Sequence, residues 1–270
     1  MSICNRRELG EHTRMSSSPR TSDTPPLDGR VVLVTGAAKR IGAALVKAFH
    51  AQGARVAIHC HRSSAEAQSL QAALNAARAD SAIVLRADLL DIQVLPSLVE
   101  ETVGKFGRLD VLINNASTFY PTPLGSITLE HWHDLIGTNL QAPLFLSQAA
   151  APHLRAAKGL IINMVDIHAQ RPLPKHTVYS TAKAGLVMLT RSLARELGPD
   201  VRVNGIAPGP ILWPEGGMDE AMKNEIISKT MLKRCGSPED IVRAALFFAI
   251  DAPFVTGQIL AVDGGRSVGW

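Results

Sequence analysis

The stretch Val31-Val32-Leu33-Val34-Thr35-Gly36-Ala37-Ala38-Lys39-Arg40-Ile41-Gly42 decides the fold. Four apolar residues, most of them β-branched, read as a buried strand. Small residues then let the backbone turn tightly, and apolar positions recur at helical spacing over 41–52. A strand that runs through such a loop into a helix gathers free N–H groups and the positive end of a helix dipole at one spot. A pyrophosphate is favoured there. A glycine loop alone is a weak signal, but its place between the first strand and the first helix makes it a phosphate loop. Gly36, Lys39, Arg40 and Ile41 are its candidate contacts.

Outward from this stretch the same alternation repeats. Short, nearly continuous apolar runs at 31–35, 55–59, 82–85, 111–114, 160–163, 201–204 and 259–262 read as strands covered on both faces. Helical patterns fill 41–52, 65–77, 94–106, 129–150, 177–197, 220–229 and 238–249. Ser237-Pro238-Glu239-Asp240 opens the last of these with a capping hydroxyl, a first-turn proline and two acids near the positive dipole end. Strands alternating with helices imply a single-domain α/β, Rossmann-type, doubly wound fold whose seven-stranded parallel sheet is flanked by helices. Residues 27–270 form that domain. Residues 1–26 are polar, rich in Ser, Thr and Arg, and close on Pro25-Pro26, so they are expected to be a disordered extension.

Composition narrows the function classes. Of 270 residues, 46% are hydrophobic and 19% charged, which excludes a disordered chain. No apolar run is long enough to cross a bilayer, so no membrane partner is expected. Cys4, Cys60 and Cys235 lie far apart, which gives neither a disulfide framework nor a metal spacing. His131 and His133 lack a third ligand at suitable spacing, so no metal is expected. A reducing compartment is expected, and Glu8, Glu11 and Asp23 argue against a transit peptide. The net charge of +4 comes with only 4% aromatic residues and scattered basic ones, so no nucleic-acid role is expected.

The end of the second strand selects the cofactor. A carboxylate there binds the ribose hydroxyls of NAD, whereas an arginine accommodates the 2′-phosphate of NADP. Here the strand ends His59-Cys60-His61-Arg62-Ser63-Ser64, with no acid. Arg62 offers a planar fork and Ser63 a hydroxyl, with Lys39 and Arg40 adding charge nearby, so NADPH is expected. Of the two histidines on one strand face, His61 is the one assigned to the phosphate.

Tyr179 and Lys183 stand four residues apart in a helical pattern and so share a face. A nearby ammonium stabilises a tyrosinate, which would let Tyr179 donate a proton nearer neutral pH.

At this point the sequence resembles a short-chain dehydrogenase/reductase from residue 27 onward. The resemblance rests on the glycine loop, Asp88, Asn114-Asn115-Ala116, Asn139, the Tyr179/Lys183 pair, Pro208-Gly209 and Val262-Asp263-Gly264-Gly265, in that order. It implies cofactor contacts at Asp88, Leu89, Asn115, Ala116, Tyr179, Lys183, Pro208 and Gly209, with Asp88 on the adenine. It also implies that Asn139 helps hold a water chain leading to the lysine.

Two departures sharpen it. Arg40 stands where the family usually has a third glycine, and Asp166 stands where it has a serine, 13 residues before the tyrosine. With His61-Arg62-Ser63, the run from Asn114 to Pro123 and Met164-Val165-Asp166, these resemble the pteridine reductase branch, in which an aspartate occupies the serine position. The exchange has a chemical reason. A serine hydroxyl suits a carbonyl oxygen, while a pterin presents a ring C=N bond whose nitrogen needs a proton, which an Asp–Tyr pair can supply. Phe119 would stack the flat pterin. Arg40, Ser117, Asp166, Tyr179 and Trp213, in the loop after the sixth strand, would complete the substrate site.

The resemblance therefore implies an NADPH-dependent pteridine reductase, a cytoplasmic homotetramer that reduces a dihydropterin, an oxidised pterin or dihydrofolate to the tetrahydro form. Rivals are a carbonyl reductase, such as a 3-oxoacyl-thioester reductase, and a non-catalytic dinucleotide-binding protein. Asp166 with Phe119 opposes the first, and Tyr179, Lys183 and Asn139 oppose the second.

Overall fold

Strands that bury side chains on both faces must lie edge to edge beneath two helical layers. In the computed structural model, which describes residues 24–213 and 216–269, seven strands lie edge to edge, but the last, 259–262 at the sheet edge, leaves Leu260 and Ala261 exposed rather than covered on both faces. The strands are β1 (Val31–Val34), β2 (Arg55–Cys60), β3 (Ala82–Arg86), β4 (Val111–Asn114), β5 (Leu160–Met164), β6 (Arg202–Pro208) and β7 (Ile259–Val262). All pair in parallel, in the order β3-β2-β1-β4-β5-β6-β7. The order reverses between β1 and β4, and that switch point opens a crevice at the C-terminal strand ends. Of the expected extension, residues 1–23 lie outside the described residues.

Period-two alternation feeds two separate cores. Val32, Val34, Val56, Ile58, Ile113 and Ile162 meet Leu45, Val46 and Phe49 of α1 (Arg40–Ala51) and Ile241 and Phe248 around α8 (Pro238–Leu246). Val31, Leu33, Ala57, Leu112 and Ile161 meet α3 (Leu95–Phe106), α5 (Ala142–Ala157) and α6 (Thr177–Leu197) on the other face. α2 (Ser64–Ala77) packs beside β2 and β3, and α7 (Glu220–Ser228) buries none of its residues.

The helix expected over 129–150 is interrupted. α4 (Leu129–Ile136) passes into a widened, π-type turn at Gly137–Gln141 before α5 begins. Pro143 has no N–H to offer the Asn139 carbonyl four residues back, so regular winding cannot be kept there. α4 is capped reciprocally: Thr128 Oγ1 accepts from His131 N–H, and His131 Nδ1 accepts from Thr128 N–H.

Candidate active site

The phosphate loop is clamped from below. Thr35 Oγ1 accepts from the N–H groups of Asn115 (2.9 Å) and Ala116 (3.0 Å). Asn115 Nδ2 donates back to the carbonyls of Thr35 (2.8 Å) and Gly36 (3.0 Å). Gly36 sits at φ +59°, and a Cβ on it would lie 2.8 Å from Ala116 Cα. Asn115 and Ala116, expected to contact a cofactor, are thus spent on holding this loop. α1 starts with Lys39 as its cap, with no side-chain capping bond and no acid in the first turn. That bare helix start fits a pyrophosphate.

Arg40 occupies the left-handed region at φ +53°, which accounts for the glycine usual there. An arginine in that conformation costs about 1–2 kcal/mol. Its guanidinium donates to the main-chain carbonyls of Trp213 (3.1 Å) and Leu212 (3.4 Å). Arg40 thus ties the phosphate loop to the loop after β6, and Trp213 contributes its main chain to that tie.

At the end of β2, His61 and Arg62 are exposed and Ser63 caps α2 without using its hydroxyl. Their donors fit a 2′-phosphate. Lys39 is committed to Glu66 in the first turn of α2, at 2.6 Å, a partner the sequence reading missed. The ammonium holds the Glu66 carboxyl below its usual value. His61 Nε2 lies 3.8 Å from Asp88 Oδ2, Asp88 Oδ1 accepts from Leu90 N–H, and Leu89 is buried.

The residues expected to handle the proton meet where β5 ends against α6. Tyr179 Oη donates to Asp166 Oδ2 at 2.7 Å, while Asp166 Oδ1 accepts from His168 N–H at 2.8 Å. Lys183 is buried, donates to the Met164 carbonyl at 2.8 Å, and lies 5.7 Å from the Tyr179 ring centroid. Its remaining ammonium protons fit a ribose. The expected lowering of the Tyr179 pKa is reversed. Burial and the adjacent Asp166 charge push it well above its ordinary value, because both disfavour a tyrosinate. Burial also pulls Lys183 down to about 8.

Asn139, in the π-type turn, spends its side chain on neighbours. Its Nδ2 donates to the carbonyls of Leu135 and Thr118, both at 2.9 Å, and its Oδ1 accepts from Ser117 at 2.6 Å. A water chain of the kind the resemblance implies would use its main-chain carbonyl or the second lone pair of Oδ1. Ser117, expected to touch ligand, serves that network. Pro208 ends β6, and Gly209 just beyond it is pressed so close to Asp263 that a Cβ would lie 2.6 Å from its Cα.

Phe119 is half exposed. One face stacks on His176 (4.7 Å between centroids, 14° between planes), and Tyr179 meets it edge-on at 4.8 Å and 76°. The other face is left for a flat ring. His176 escaped the sequence reading, because it sits 57 residues from its partner, outside any local pattern. Beyond the loop after β6 lies a cavity of about 450 Å³ lined by Pro210, Ile211, Met231, Leu232 and Val268. It contains none of Asp166, Tyr179 and Lys183, which meet instead where β5 ends against α6.

Known proteins are similar to this chain over most of its length. A family model described as enoyl-(acyl carrier protein) reductase matches residues 36–267. Pteridine reductase 1 of Leishmania tarentolae is 37% identical over 289 residues, covering 92% of this chain and 98% of that one. A protein named probable galactose dehydrogenase from Rhizobium meliloti is 38% identical over 256 residues (91% and 98%). Hydroxynaphthalene reductase of Aspergillus fumigatus is 34% identical over 252 residues (87% and 92%).

Proposed function

The chain belongs to the short-chain dehydrogenase/reductase family, a family of oxidoreductases that use nicotinamide dinucleotides, and on that premise we propose that it is an NADPH-dependent pteridine reductase. The observation that carries this is the 2.7 Å bond between Tyr179 and Asp166 beside the open face of Phe119. A carbonyl reductase has no need of a carboxylate there.

When bound, the cofactor supplies the hydride for the carbon of a ring C=N bond and leaves oxidised. The nitrogen of that bond takes a proton, giving C–H and N–H. A tyrosinate beside an ionised Asp166 would place two negative charges within hydrogen-bond distance, which the raised Tyr179 pKa opposes. The Asp166–Tyr179 pair therefore handles the proton together: the Tyr179 hydroxyl, held by Asp166, passes it to nitrogen, and solvent restores it afterwards. Lys183 orients the nicotinamide ribose, Phe119 stacks the pterin, and Arg62, Ser63 and His61 hold the 2′-phosphate.

The same reading makes the working form a cytoplasmic homotetramer. Exposed Leu144 and Met188 on α5 and α6, and Leu260 on edge strand β7, are apolar surfaces such an assembly would cover.

The test follows NADPH consumption with dihydrobiopterin, dihydrofolate and an acetoacetyl thioester in parallel. Turnover of the dihydropterin above the thioester is expected. The reverse order would make the chain a carbonyl reductase, and no turnover with NADPH bound would leave a binding protein.

A further inference from the structure

His59, the fifth residue of β2, is 1% exposed and belongs to none of the chemistry above. Its Nε2 lies 3.2 Å from the Ala87 carbonyl, which can only accept, so Nε2 carries the hydrogen. Its Nδ1 lies 3.2 Å from the Gly36 N–H, which can only donate, so Nδ1 is bare. The two bonds demand the same neutral tautomer. Burial agrees, pulling the imidazole down to about 4 against the opposing pull of the Ala87 carbonyl, with His61 and Asp88 the charged neighbours. The main chain adds a third bond, from Ala37 N–H to the His59 carbonyl at 2.8 Å. Gly36 and Ala37 open the phosphate loop, and Ala87 precedes Asp88 at the adenine end.

We propose that His59 is a positioning residue of the dinucleotide site, a neutral strut that holds the phosphate loop and the loop after β3 at one separation. This rests on the reading of the crevice as a nicotinamide dinucleotide site. A hydrophobic side chain of similar size would fill the space yet leave two half-buried polar groups, the Gly36 N–H and the Ala87 carbonyl, without that partner. The loop would then move to find partners, and the shared pyrophosphate would lose its fit.

The test titrates NADPH and NADH separately against the full chain and its His59→Phe and His59→Asn variants, with melting temperatures alongside. His59→Phe is expected to weaken both dinucleotides by a similar factor, about tenfold or more, with kcat at saturating cofactor within about twofold. His59→Asn, whose amide oxygen overlies Nδ1 and can accept from Gly36, should recover part of the loss. Nitrogen NMR of the unaltered protein should show the Nε2–H tautomer, with no titration between about pH 5 and 8. That measurement needs no variant to fold. A lowered melting temperature with unchanged dinucleotide affinity would make His59 a packing residue and overturn the proposal, as would an Nδ1–H tautomer. An unaltered protein that binds neither dinucleotide would sink the cofactor reading itself, and the role of His59 with it.

Discussion

Residues 35–42, after β1, and residues 209–219, after β6, both leave the C-terminal edge of the sheet, yet they are held differently. The first loop is gripped by Thr35, Asn115 and His59 through buried or half-buried bonds, and Gly36 packs directly on Ala116. The second is anchored at its root, where Gly209 N–H donates to Val262, Gly236 N–H donates to Pro210, and Ile211 is buried. From Leu212 onward its described residues are mostly exposed, and α7 buries nothing. Arg40 is the tie between the two loops. The part of the site that would meet the same cofactor every time is rigid, whereas the part that would meet a varying substrate is fastened at one end. Changes in the first should alter cofactor affinity, and changes at the second should alter substrate preference.

The sharpest break in that division is expected at Asp166, which belongs to neither loop. Asp166→Asn keeps the size and still offers a hydrogen bond, but it cannot exchange a proton. NADPH affinity should stay within about twofold while pterin turnover falls about a hundredfold, as for general acid–base groups. Asp166→Ser should gain activity only toward carbonyls. Dihydropterin turnover by Asp166→Asn at the parent rate would refute the proposed proton path. The alkaline side has a signature of its own. Lys183, pulled down to about 8, loses its charge as pH rises through that value, whereas Tyr179 is pushed the other way. The kcat/KM profile should therefore decline above about pH 8. A profile flat to pH 10 would remove Lys183 from the machinery.

Next in size is Arg62→Ala. Arg62 is exposed at the end of β2 with no hydrogen bond or ion pair among the described residues, so its fork is open to a phosphate. Losing one charge-assisted contact of about 1.5–3 kcal/mol should cost NADPH roughly tenfold or more in affinity and leave NADH nearly unchanged. Binding titrations with both cofactors check this. Equal affinity of the parent for both would break the NADPH assignment.

The same contrast explains what could be read from the sequence. Strands buried on both faces announce themselves as apolar runs, and α6 was expected and found over the same span, 177–197. The helix face that Tyr179 and Lys183 share was legible from their spacing, whereas Asp166 was singled out by the resemblance, as the acid 13 residues before the tyrosine. The interrupted helix near Asn139 was missed because apolar periodicity continues across it, although Pro143 was there to be weighed. His59, Glu66 and His176 were missed for another reason. Their partners are brought to them by the crossover topology, and nothing in the neighbouring residues signals them. The direction of the Tyr179 pKa depends on burial at the meeting of β5 and α6, which spacing alone does not reveal.

A smaller effect is expected at the tie itself. Arg40→Ala removes the bonds to Leu212 and Trp213 but leaves the backbone in the left-handed region. The substrate KM should rise about three- to tenfold, since exposed hydrogen bonds of this kind contribute about 0.5–1.5 kcal/mol. Limited proteolysis within 212–217 should quicken. An unchanged KM together with unchanged proteolysis would mean that the loop is held without Arg40.

The smallest effect separates the tie from the strain that accompanies it. Arg40→Gly also removes the guanidinium, so its substrate KM should match that of Arg40→Ala. It differs in one respect: glycine adopts φ +53° without a Cβ clash, while alanine does not. Glycine also loses more chain entropy on folding, by up to about 1 kcal/mol, which offsets part of the relief. The balance favours glycine by no more than about 1 kcal/mol, which for a chain of this size is a rise in melting temperature of about 2–4 °C over the alanine variant. Two variants with the same KM and different melting temperatures would show that Arg40 is kept for its side chain against the preference of its backbone. A glycine variant no more stable than the alanine one would show that the left-handed turn carries no strain worth relieving, and that the loss of the usual glycine cost the fold nothing.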